Sequence, residues 1–124
     1  MANSGHGIGR LRRAVAYSLL GFRAAWRYEA AFREEVLASM VLLPAAFWIG
    51  RTALEWAIMI GTLLVMLITE LFNSAIEALT DRVGTEHHEL SGRAKDLASG
   101  AVLLAVILVV LVYGACAWQR FAGG

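Results

Sequence analysis

The chain has 124 residues, 59% of them hydrophobic and only 17% charged, with a mean hydropathy of +0.63. A water-soluble domain this small carries about 25% charged residues, so the composition excludes an ordinary soluble globule and, equally, a disordered chain. The lone Cys116 excludes a disulfide scaffold, and 11 basic against 10 acidic residues leave a net charge of +1 with no basic tail, so nucleic acid is not an expected partner.

The first 30 residues are dotted with arginine and lack the apolar core and small-residue cleavage site of a signal peptide. Gly5, Gly7 and Gly9 precede no strand and lack the GxGxxG spacing, and no GxxxxGK[ST] loop occurs, so these glycines read as a flexible tether. Ile8, Leu11, Val15, Leu19, Phe22 and Trp26 recur at intervals of three and four. That spacing places them within about 80° of one another on a helix, with Arg10, Arg13 and Tyr17 opposite. The pattern predicts a helix over about 8–28 lying in the headgroup plane of a membrane, its cations toward water and anionic phosphates. A soluble amphipathic helix packed on a core would show the same stripe.

A second helix is expected over about 30–50. Its apolar run, 36–50, contains Pro44 and stops at Arg51, so it crosses a bilayer only by recruiting Ala30, Ala31 and Phe32 or by tilting and thinning the membrane. A third, over about 54–82, opens with the apolar run 56–69 and continues past Glu70 through Leu71, Ile76, Ala78 and Leu79, so it projects beyond the membrane. The last, over about 94–120, contains 98–118, which are 21 residues without a charged side chain. At about 1.5 Å per residue this run crosses a hydrocarbon core of about 30 Å. The expected fold is an all-α membrane protein, one domain over 1–124, with an amphipathic surface helix followed by three transmembrane helices.

Lysine and arginine in short loops set the orientation. Arg10, Arg12, Arg13, Arg23, Arg27 and Arg33 precede the first span, and Arg82, Arg93 and Lys95 lie between the second and third. Only Arg51 and Arg120 lie on the other side. The N-terminus is therefore expected in the cytoplasm and the C-terminus outside, with Trp48, Trp56 and Trp118 at the outer interface and Trp26 at the inner one. Cys116, on the last outer turn, reads as a membrane-facing apolar residue.

Glu70, Asn73 and Glu77 are spaced i, i+3, i+7 and share one helix face, with Asp81 a turn beyond. With Trp56 at the outer interface, Glu70 lies about 21 Å farther along the axis, near the inner hydrocarbon boundary, where a carboxylate is costly and marks function. Two carboxylates about 10 Å apart with an amide between them suit a base and a metal ligand, and hard oxygen donors favour magnesium. His6, His87 and His88 with the single cysteine make no zinc spacing. Polar contacts that merely glue helices together would use the same residue types. However, the following segment, Glu86 to Asp96, is far richer in donors, acceptors and both charge signs than a connecting turn requires, and Glu29 shares its cytoplasmic rim.

The runs Glu70-Leu71-Phe72-Asn73-Ser74-Ala75-Ile76-Glu77-Ala78-Leu79-Thr80-Asp81-Arg82 and His88-Glu89-Leu90-Ser91-Gly92-Arg93-Ala94-Lys95-Asp96 closely resemble the signature of the prokaryotic diacylglycerol kinase family. Tyr17-Ser18, Gly21, Arg23-Ala24-Ala25-Trp26 and Glu29-Ala30-Ala31-Phe32-Arg33 extend the resemblance over essentially the whole chain. It implies a homotrimeric enzyme of the bacterial inner membrane that uses MgATP to phosphorylate diacylglycerol to phosphatidic acid. Glu70 would be the general base supported by Asn73, with Glu29 and Glu77 holding Mg2+ on the ATP phosphates. Arg10, Tyr17, Glu86, His87, His88, Lys95 and Asp96 would contact nucleotide together with Glu29 and Glu77. Arg10, Arg23, Ala24, Ala25, Trp26, Ala31, Phe32, Arg33, Glu34, Glu35, Glu70 and Ser99 would line the lipid path, with Trp48, Trp56, Tyr113 and Trp118 touching acyl chains or bulk lipid. Undecaprenol kinase, a related enzyme with the same carboxylates, is the nearest alternative. A small multidrug or proton-coupled exporter also places a glutamate in a short helix bundle.

Overall fold

A computed structural model describes residues 7–84 and 88–123, and every regular element among them is an α-helix. The order is α1 (Gly7–Tyr28), α2 (Ala30–Ile49), α3 (Ala53–Val83) and α4 (Glu89–Phe121). Glu86, His87 and His6 lie outside the described residues.

By length and apolar composition α3 and α4 can each cross a membrane. The 20 residues of α2 are also about 30 Å long, but Arg33, Glu34, Glu35 and Pro44 lower its apolar character, and it does not meet the same criterion. The apolar stripe of α1 packs on no core: Ile8, Leu11, Val15, Leu19, Phe22 and Trp26 are all exposed, and Ala25 is the one buried residue of that helix.

The dominant contact is α3 against α4, followed by α2 against α3. Met59, Leu63 and Met66 on α3 meet Ala46 on α2 and Ala105, Val109 and Tyr113 on α4 in one apolar cluster. Small residues at 46 and 105 let the backbones approach, as helices in lipid require. Pro44 removes one backbone donor from α2, and close to it the Tyr113 hydroxyl donates to the Leu42 carbonyl at 2.8 Å. Cys116 is half-buried against the cluster rather than directed wholly to lipid.

Two tight connections set the register. Glu29 is the single non-helical residue between α1 and α2, and Arg33 Nη1 donates to the terminal α1 carbonyls of Trp26, at 2.7 Å, and Arg27, at 3.3 Å. Between α2 and α3, Thr52 Oγ1 accepts the Glu55 N–H at 3.1 Å while Glu55 Oε1 accepts the Arg51 N–H at 2.9 Å, a reciprocal cap. The Trp56 indole N–H donates to the Gly50 carbonyl at 2.9 Å, and its ring lies 5.6 Å from that of Phe47. Gly50 has no room for a side chain, because a Cβ would collide with the Trp56 ring and come within 2.9 Å of the Ala46 carbonyl oxygen.

The last helix begins at Glu89, several residues ahead of its apolar stretch. His88 caps it, its Nδ1 accepting the Leu90 N–H at 3.0 Å, and Glu89 complements the positive end of the helix dipole.

Candidate functional site along the polar half of α3

The buried face of α3 runs through Met59, Thr62, Leu63 and Met66 and then changes character at Glu70 and Ser74. Glu70 is only 2% exposed. Its Oε2 accepts the Ser74 hydroxyl, one turn on, at 3.2 Å. Glu35, half-buried on α2, stands beside it, so two carboxyl groups from different helices face each other away from bulk solvent. Oε1 of Glu35 and Oδ1 of Asn73 are both buried without a hydrogen-bond partner among the described residues. Native proteins rarely leave such acceptors unsatisfied, and groups that do stay open cluster where a ligand or ion completes them.

One turn beyond Asn73 is Glu77, half-buried, and a further turn beyond is Asp81. Lys95 on α4 reaches across to Asp81, Nζ to Oδ1 at 2.8 Å. Lys95 precedes the apolar stretch of α4, and the hydrogen bond and charge of Asp81, with Glu77 adding to them, hold its ammonium above the ordinary lysine range.

Next to this polar stripe lies an apolar groove of about 680 Å³ between α1 and α3. Ser18, Gly21, Phe22, Ala24, Ala25, Tyr28 and Glu29 form one wall, and Leu71, Ser74, Ala75 and Ala78 the other. The small residues at 21, 24, 25, 75 and 78 keep it open. Glu29, at the α1–α2 elbow, brings a carboxylate to a cavity otherwise suited to hydrocarbon, and Ser74 joins the groove to Glu70.

The structure sets Glu70, Asn73 and Glu77 along α3, with Glu35 beside Glu70, Glu29 on the adjoining groove and Lys95 reaching Asp81 near Glu77. Of the expected lipid path, Ala24 and Ala25 line the groove, while Arg23, Trp26, Ala31, Glu34 and Ser99 are exposed and Phe32 is buried. Arg10 and Tyr17 are exposed on α1, and no hydrogen bond or ion pair among the described residues ties them to the carboxylates. Asp96 is exposed, and His88 serves as a helix cap. Arg33 is occupied in closing α1, Trp56 in closing the α2–α3 turn, and Tyr113 is buried with its hydroxyl engaged, so each has a packing role within the chain. Trp118 is exposed, as is Trp48, whose ring lies against Phe121.

The pairing of Glu35 with Glu70 is the feature that sequence reasoning missed, since Glu35 was expected only along the lipid path. The available signal was a carboxylate at the start of an apolar helix, a costly position that asks for a partner.

Among the described residues no three His, Cys, Asp or Glu side chains lie close enough to hold a metal by themselves. An all-oxygen set of one or two carboxylates is nonetheless what Mg2+ uses when substrate phosphates complete its shell, and the orphaned Asn73 oxygen belongs to the same donor class.

The prokaryotic diacylglycerol kinase family matches residues 16–117. The chain is 45% identical over 121 residues to the diacylglycerol kinase of Escherichia coli K12, covering 98% of this chain and 99% of that one. It is 48% identical over 107 residues to the Pseudomonas aeruginosa diacylglycerol kinase (86% and 87% coverage) and 44% over 108 residues to that of Haemophilus influenzae (87% and 92%).

Proposed function

The chain belongs to the prokaryotic diacylglycerol kinase family, a family of kinases, and from that premise we propose that it phosphorylates diacylglycerol to phosphatidic acid by direct transfer from MgATP. The observation that carries this reading is the junction of Glu70 with the groove. A carboxylate 2% exposed touches Ser74, and Ser74 lines a cavity that suits acyl chains.

In this reading the lipid enters the groove with its hydroxyl toward Glu70, which accepts the hydroxyl proton as the oxygen attacks the γ-phosphorus. ADP leaves, and no covalent enzyme intermediate forms. Glu29 and Glu77 hold Mg2+, which when bound neutralises charge on the phosphates, and Asn73 supports that centre. Lys95 contributes a second positive charge toward the polyphosphate, and Arg10, Tyr17, Glu86, His87, His88 and Asp96 complete the nucleotide contacts. Phosphoryl transfer depends chiefly on positioning and charge neutralisation, which fits a site built from carboxylates, an amide and one lysine.

The membrane supplies the rest of the arrangement. We place α1 in the cytoplasmic headgroup layer of the bacterial inner membrane, with α2, α3 and α4 crossing, the N-terminus inside and the C-terminus outside. The exposed apolar stripe of α1 supports this, since no core covers it. ATP then arrives from water and lipid from the bilayer, so neither substrate leaves its own solvent. The exposed faces of a three-span protomer and its open polar stripe support a homotrimer, in which neighbours cover the stripe.

Phosphate transfer from labelled ATP to diacylglycerol and to undecaprenol in matched micelles tests the reading. Magnesium-dependent transfer to diacylglycerol is expected. A strong preference for the polyprenol overturns the substrate assignment, and ATP-independent solute flux without transfer overturns the kinase.

A further inference from the structure

Among the described residues, two ion pairs form: Arg93–Glu89 lies within α4 at 3.7 Å, and Lys95–Asp81 alone joins two helices. Nζ of Lys95 donates to Oδ1 of Asp81 at 2.8 Å across fourteen positions of sequence, and the two side chains remain 42% and 63% exposed. Such a contact contributes little stability, because solvent screens it. Its geometry has a different consequence. Asp81 stands one turn past Glu77 on the polar stripe, and Glu77 also acts electrostatically on the ammonium. The lysine is therefore drawn back over the stripe, with one N–H occupied and no protein acceptor for the others among the described residues.

We propose that Asp81 is a positioning residue for the nucleotide polyphosphate, holding the Lys95 ammonium over the Glu77 turn before the nucleotide arrives and leaving its remaining N–H groups for phosphate oxygens. The proposal rests on the reading of Lys95 as a phosphate contact. A free lysine stem carries rotamer entropy that binding must remove, and a tether at its tip removes part of it in advance. Asp81 itself touches no phosphate. Its negative charge acts through the lysine, on a carboxylate that the Glu70 chemistry does not use.

The test is titration of a fluorescent ATP analogue with Mg2+ into the full-length chain in detergent, for the wild type, Asp81→Asn, Asp81→Glu, Lys95→Met and the double variant Asp81→Asn/Lys95→Met. Asp81→Asn is expected to weaken binding by about threefold, the scale of an exposed ion pair, and Asp81→Glu to recover most of it. The double variant is expected to bind no more weakly than Lys95→Met alone, and in the transfer assay Asp81→Asn raises the KM for MgATP while kcat stays near wild type. Tighter binding by Asp81→Asn overturns the proposal, since the carboxylate would then be competing with phosphate. So does unchanged affinity, or a loss that adds to that of Lys95→Met. The titration needs no lipid, so a wild type that binds nucleotide but ignores diacylglycerol refutes the substrate reading alone. A Lys95→Met variant that binds normally refutes the proposal together with the Lys95 phosphate contact it rests on, and leaves the kinase reading standing.

Discussion

The same face of α3 is finished in its N-terminal half and unfinished in its C-terminal half. From Met59 to Met66 it is apolar, packed against α2 and α4 around Ala46, Ala105 and Val109, and the buried Thr62 hydroxyl is bonded to the Met59 carbonyl. From Glu70 onward the face meets a second carboxyl group from α2, carries an amide oxygen with no donor among the described residues and has a groove beside it. Substitutions should therefore separate the two halves: the packed half answers in stability, the open half in chemistry.

The largest effect is expected at Glu70→Gln. The amide keeps the shape and the Ser74 contact but cannot take the proton, so the transfer rate should fall by about 10²–10⁴-fold while circular dichroism and gel filtration stay unchanged. A near-wild-type rate per folded protein would remove Glu70 from the chemistry. Next, Glu77→Gln is expected to raise the Mg2+ concentration for half-maximal rate by roughly ten- to hundredfold, the equivalent of losing one charged contact. An unmoved magnesium titration would show that the stripe ends before Glu77. Smaller still is Glu35→Gln, which replaces one of two carboxyl groups crowded against each other in a sheltered site by a neutral amide. It should raise the melting temperature by about 2–4 °C while lowering activity, the trade expected where function maintains a destabilising arrangement. Lower stability would place Glu35 with the packed half. The smallest effect is expected at Tyr113→Phe, which removes only the bond to the Leu42 carbonyl. A loss of about 0.6 kcal/mol in unfolding measurements, with kcat intact, is the expected outcome.

What could be read from the residues follows the same division. The apolar run 98–118 and the i, i+3, i+7 spacing of Glu70, Asn73 and Glu77 are local periodicities, and a helix converts periodicity directly into a shared face. The membership of the family was legible for the same reason, because its signature is carried by contiguous polar positions along α3 and the start of α4. Which faces then meet is a tertiary matter that spacing does not encode. Glu35 opposite Glu70, the Arg33 guanidinium on the α1 carbonyls and the Trp56 indole on Gly50 all depend on where two helices are joined. The early start of α4 was hidden because hydropathy marks where a helix enters lipid, whereas a cap such as His88 marks where it begins.

The join at residues 50–52 has a consequence for how the enzyme tolerates change. It is three residues long, capped from both directions and shut against any side chain at Gly50, so it contains no slack to absorb an insertion. It is in effect the zero mark from which both α2 and α3 are counted back down to the chemistry. One residue added in the helical turn next to it would rotate the rest of that helix by about 100° against the other. Hydrocarbon side chains can find new neighbours after such a twist, whereas Glu35 and Glu70 have one mutual orientation to lose.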